Sequence, residues 1–114
     1  MGAGKGGNFG NTQGAIRNKL PPNDSQIKHI FGDRRGHLPD TIENRNLLTQ
    51  TANDNSAFKG IDNYGNSWHI KFDSKGRQIW TRSQNGIINE GGRNDIPLKW
   101  DSKTGLYKNP YNKK

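Results

Sequence analysis

Apolar and polar positions recur with two different periods along this chain, and the change falls near residue 58. Before it, Ile27, Ile30 and Phe31 follow the i, i+3, i+4 spacing of a short amphipathic helix over residues 24–31, with Asp24 or Ser25 able to cap it. A second helix is predicted from Asp40: Asp40 and Glu43 have the spacing of a capping box, Leu38, Ile42, Leu48 and Ala52 supply an apolar face, and Asn53–Asn55 end it. From Phe58 onward the period is two. The segments FKGID, NSWHIKF, RQIWTRS and IINEGG, separated by NYG, DSKG and QNG, predict an antiparallel meander. In the second of these strands Trp68, Ile70 and Phe72 face one way and His69 and Lys71 the other; in the third, Ile79 and Thr81 oppose Gln78, Trp80 and Arg82. One face is expected to be apolar enough to cover a helix, and the other to mix His, Lys, Trp and Arg. The expected class is α+β, with N-terminal short helices packed on a twisted antiparallel meander.

The ends lack either period. Residues 1–22 are rich in Gly and Asn, finish in Pro21–Pro22 and read as a flexible linker, which leaves 23–114 as one domain. The glycine run at 2–7 lacks the spacing of a phosphate-binding loop and no strand precedes it. In the tail, an edge strand is expected around Leu98–Trp100.

Charge narrows the choice of partner. The chain carries 18 Lys and Arg against 10 acids, a net charge of +8. Residues 1–57 hold 7 basic and 5 acidic side chains, residues 58–114 hold 11 and 5, so a polyanion should meet mainly the second half. No apolar run approaches the roughly 20 residues needed to span a bilayer, and no membrane anchor is expected. The N-terminus has no secretory signal, so export is expected to depend on a larger parent chain. Cysteine is absent, which excludes disulfides and thiolate metal sites. Leu, Ile, Val and Phe total only 20 of 114 residues, so the core must be small.

No metal-binding or nucleophile motif is present, and no cofactor is expected. RNA cleavage needs neither, because the ribose 2′-OH is an internal nucleophile. An enzyme must take its proton, stabilise charge on phosphate and protonate the leaving 5′-oxygen. His suits the proton transfers near neutral pH, and Arg, Lys and Thr suit the phosphate. Lys28, His29, Arg34, Arg35 and His37 cluster within ten residues, and Trp80, Thr81, Arg82 and Asn85 lie together on a later strand and turn. The candidate catalytic set is His37, His29, Thr81 and Arg82; the candidate substrate contacts are Arg35, Arg34, Lys28, Trp80 and Asn85, the aromatic ring stacking on unpaired bases. Structural roles compete. His29 could close a helix end, His37 could brace its loop, and His69 reads as an exposed strand residue. Arg45 is expected to pair with a nearby acid and Trp68 to be core. Two other functions fit the charge: a non-catalytic nucleic-acid-binding module and a metal-dependent DNase toxin.

The run HIFGDRRGHLPDTIENRNLLTQTA, followed by GIDNYGNSWHIKF, QIWTRSQNGIINEGGRN and KWDSKTGL, resembles C-terminal toxin domains of bacterial polymorphic and contact-dependent inhibition systems. It is similar to their tRNA-cleaving members with the barnase/EndoU/colicin/RelE-type fold. The resemblance implies helices on an antiparallel sheet with the active site on an open sheet face, and secretion within a larger toxin that acts in the cytoplasm of a competitor. It also implies an RNA substrate, tRNA in particular, and a cognate immunity protein, for which a basic toxin calls for an acidic surface. A host translation factor is a further candidate partner. Active-site residues vary among such toxins, so the resemblance carries over no catalytic set.

Overall fold

A computed structural model describes residues 17–106. Two helices, α1 (Asp24–Ile30) and α2 (Ile42–Ala52), lead through a 3-10 turn at Asn55–Ala57 into four strands. These are β1 (Phe58–Ile61), β2 (Ser67–Phe72), β3 (Gln78–Gln84) and β4 (Ile87–Asn94), paired antiparallel in the order β1-β2-β3-β4. β5 (Trp100–Asp101) and β6 (Gly105–Leu106) form a separate two-stranded ribbon, so the strand expected near Leu98–Trp100 begins at Trp100 and does not join the main sheet.

Both helices are capped one or two residues away from where the sequence suggested. Asn23 caps α1, accepting from the Gln26 backbone N–H, so neither Asp24 nor Ser25 is the cap. Thr41 caps α2 through the Asn44 N–H, which displaces the expected box of Asp40 and Glu43. The reason is local: Arg45 takes both oxygens of Asp40, at 2.6 and 2.8 Å, and that carboxylate is no longer available to the helix end. Asn53 closes α2.

The core consists of Ile27, Ile30, Phe31, Leu38, Leu48, Ala52, Ile79 and Ile88, so it lies between the helices and one sheet face. Ile42, expected on the apolar face of α2, is 76% exposed. The grouping of residues on the sheet also differs from expectation. His69 pairs with Thr81 and Lys71 with Ile79, while Trp68 pairs with Arg82 and Ile70 with Trp80. Directly opposed residues share a face. His69 and Lys71 therefore lie under the helices with Ile79 and Thr81, and Trp68, Ile70 and Phe72 join Trp80 and Arg82 on the far face. The cause is the turn after β2. Arg77 belongs to that turn and not to β3: the Asp73 side chain accepts from the Arg77 backbone N–H at 2.9 Å and from its Nε at 2.7 Å. The loop is one residue longer, and Phe72 pairs with Gln78. A slip of one residue moves every side chain of a strand to the other face.

The far face is roofed in part by loops. Trp68 and Trp80 stack at 5.8 Å, Trp100 meets Trp68 edge-on at 5.9 Å, and the side chain of Gln78 bonds the backbone of Leu98 in both directions. Consecutive glycines in β4 allow close approach from both sides. A Cβ on Gly91 would lie 3.0 Å from a Leu48 methyl, and one on Gly92 would collide with the Gly36 carbonyl. The N-terminal strap is part of the same domain. Lys19 forms a parallel bridge to Ile87, and Asn18 and Asn53 bond each other's surroundings through Asn53 Oδ1 and the Ala52 and Asn18 carbonyls. The boundary expected at residue 22 thus falls inside tied-down chain; residues 1–16 of the expected linker and 107–114 of the tail lie outside the described residues.

Candidate active site

The loop between α1 and α2 wraps the β4 edge and carries a histidine to the far face. Arg34 closes α1 from outside, its guanidinium donating to the carbonyls of His29 (2.5 Å) and Lys28 (3.4 Å). That satisfies orphan carbonyls where the helix dipole favours a cation. The chain then turns through Gly36, at φ +82°, whose carbonyl accepts from the Arg93 N–H (3.1 Å) and the Trp80 indole N–H (3.3 Å). His37 follows. Its Nδ1 lies 2.8 Å from the Ile30 carbonyl, and its ring meets Trp80 edge-on at 5.9 Å. A carbonyl only accepts, so Nδ1 carries the hydrogen, and Nε2 is left to gain or lose a proton.

Glu90 stands between two histidines. Its Oε2 is 2.9 Å from His29 Nε2 and its Oε1 is 3.7 Å from His37 Nδ1. The Glu90 and His37 side chains are each 15% exposed and that of His29 67%, so the carboxylate is shielded and one ring is open to solvent. Strand β4 makes this possible through a bulge opposite Arg82 and Ser83, which leaves Asn89 and Glu90 both serving this region. Asn89 accepts from Arg82 Nε at 2.6 Å, and Glu90 lies directly across the ladder from Arg82. Asn89 in turn donates to Asn66, and Asn66 and the Trp68 indole donate to Asp62. Burial pushes the Asp62 carboxyl pKa up, but the bonds from Trp68, Asn66 and Tyr64 outweigh it and hold it below its ordinary value. An ionised Asp62 thus anchors a chain of amides that ends at Arg82.

Among the residues singled out from sequence, His29, His37, Arg82 and Trp80 are brought together. Thr81 is not. It is fully buried under the helices, on the opposite face from Arg82, and cannot reach a substrate. His69, read as an exposed strand residue, is 4% exposed on that same face. Asn85 forms the tip of the β3–β4 hairpin at φ +55°, with Gly86 at +80°, the two-residue turn its sequence favours. Arg34 and Arg35 line a cleft of about 500 Å³ beside His37, with Arg93 and Asn94. Lys28 is exposed on α1. Arg45 pairs with an acid and Trp68 is buried, as expected, though Trp68 is buried on the far face and outside the cluster under the helices. Glu90 was not anticipated, although it is the only glutamate in the basic half of the chain. The strand pattern around it is interrupted by the bulge and two glycines, which hid its direction.

Among the described residues, no group of three His, Cys, Asp or Glu side chains is placed to hold a metal ion, and no helix is long and apolar enough to cross a membrane. Comparison with known protein families, with curated proteins and with solved structures yields no match.

Proposed function

We propose that this protein is a metal-independent RNA endonuclease that cuts by 2′-OH transesterification. The observation that carries the reading is the carboxylate of Glu90 held between His29 and His37, across the ladder from Arg82, in a chain of net charge +8. In this mechanism the Glu90–His29 pair takes the 2′ proton as the 2′-oxygen bonds to phosphorus. His37 Nε2, protonated at the start, gives its proton to the 5′-oxygen as the P–O5′ bond breaks. The products are a 2′,3′-cyclic phosphate and a 5′-hydroxyl end. Arg82, held by Asn89, and Arg35 at the cleft supply positive charge to the phosphate as it gains electron density. Trp80 is 9% exposed and packed against His37, which suits a wall that orients the imidazole better than a base-stacking platform.

The reading extends to the biological setting the sequence resembles: a toxin domain secreted within a larger protein, acting on tRNA in the cytoplasm of a competitor and neutralised by an acidic immunity protein over the His29–Glu90 region. Incubating the domain with total RNA and with plasmid DNA, each with and without EDTA, tests the central claim. Cleavage of RNA alone, unchanged by EDTA and leaving cyclic phosphate ends, is expected. RNA bound but left whole would make the protein a binding module. EDTA-sensitive DNA cutting would make it a metal-dependent nuclease.

A further inference from the structure

A second cavity, of about 530 Å³, opens on the helix side of the sheet and is lined by Arg17, Asn18, Asn55, Phe58, Ser67 and His69. Its size falls within the ~300–1,000 Å³ of small-ligand sites. His69 is the decisive residue. It is 4% exposed, its ring is held by Phe58 at 5.4 Å, and its Nδ1 has no hydrogen-bond partner among the described residues. Buried polar atoms are nearly always bonded, and an exception on a residue that lines a cavity marks a place where something else completes the bond.

We propose that this cavity binds one nucleotide unit of RNA, with the base against Phe58, its polar edge toward His69 and Ser67, and its phosphate toward Arg17. The chemistry of the walls selects that class. Phe58 is 48% exposed and offers an aromatic face. Ser67 and the asparagines both donate and accept, as base edges require. Burial, and then the charge of Arg17, lower the His69 pKa, with Asp54 working weakly against them, so the ring is neutral and also offers one donor and one acceptor. Among the described residues Arg17 is the one Lys or Arg lining the cavity, and Asn55 positions its guanidinium at 3.0 Å. A bare anion would use Arg17 and leave the rest unmatched.

The choice of ligand rests on the ribonuclease reading, and the test separates the two. The full chain is titrated with each of the four nucleoside 5′-monophosphates, with the free nucleosides and with inorganic phosphate, while the three imidazole signals, assigned by single His variants, are followed by NMR. At least one monophosphate is expected to move the His69 signal. Phe58→Ala, at an exposed position, should weaken that binding about tenfold, since base–aromatic stacking is worth roughly 1–3 kcal/mol. Arg17→Ala should reduce the monophosphate to the affinity of its nucleoside. The proposal is overturned if no monophosphate moves His69, if inorganic phosphate moves it as far, or if both variants bind like the parent. A protein that moves His69 but does not cut RNA keeps this site and loses the ribonuclease; one that cuts RNA with His69 unmoved does the reverse.

Discussion

On the loop-covered face of the sheet, His37 has one ring nitrogen committed to a main-chain carbonyl and a carboxylate close by; on the helix-covered face, His69 is buried deeper and has a ring nitrogen with no partner among the described residues. The contrast shows what proton-transfer chemistry asks of an imidazole. A backbone acceptor at Nδ1 fixes the tautomer, so Nε2 presents one defined function to a substrate. Glu90 can balance the charge when that ring is protonated. His69 has no such support. Its surroundings favour the neutral form, which makes it a partner for hydrogen bonds and a poor carrier of protons.

The contrast breaks most easily at His37. Replacing it with Ala should slow RNA cleavage by ~10²–10⁴-fold per folded molecule, while His69→Ala, at saturating RNA, leaves the turnover per folded molecule within a few-fold. Equal losses in the two variants, measured on protein shown to be folded, would erase the distinction between the faces.

Glu90→Gln comes next. It keeps the shape and removes the base, so a loss on the order of 10²-fold in cleavage is expected. If Glu90 only positioned His29, the glutamine, which can still accept a hydrogen bond, would retain most of the activity.

A pH titration of stability sharpens the other side. His69 has a folded-state pKa below its ordinary 6.5, so the unfolded chain binds that proton first. Its contribution to stability is complete above about pH 6.5 and is lost as pH falls toward the folded value. Asp62 behaves likewise at lower pH, its contribution disappearing as pH falls below its ordinary 3.8 through the depressed folded value. Thermal melts of His69→Gln should therefore show a flatter dependence than the parent between pH 6.5 and 5. An unchanged slope would mean that His69 does not carry this loss.

The smallest expected effect is at Thr81. Its hydroxyl is buried without a partner among the described residues, so Thr81→Val should leave cleavage unchanged and shift stability by no more than ~1 kcal/mol, in the stabilising direction. A marked fall in cleavage at constant stability would put Thr81 back in the chemistry and bring the sheet pairing into question.

The change of hydrophobic period, the helix stripe of Ile27, Ile30 and Phe31, and the Asn85–Gly86 turn were all legible along the chain, because each depends on neighbours a few residues apart. Those local rules determined the α+β class and placed every strand of the main sheet to within about two residues. They also brought His29, His37 and Arg82 forward as chemistry, though they could not tell Arg82 from Thr81 beside it. Which residues share a face depended on the turn after β2, where the Asp73 side chain retains Arg77 and lengthens the loop by one. Strand alternation has a period of two and is silent about the phase between neighbouring strands, so a single residue of loop reassigned Trp68 and His69 to opposite faces from those expected. Glu90 was settled by longer-range contacts still: a bulge in β4 turned it toward the last turn of α1, where His29 meets it, and the loop that follows, where His37 does. Register and bulges are decided by pairing and packing between distant segments, and only the folded chain brings those segments together.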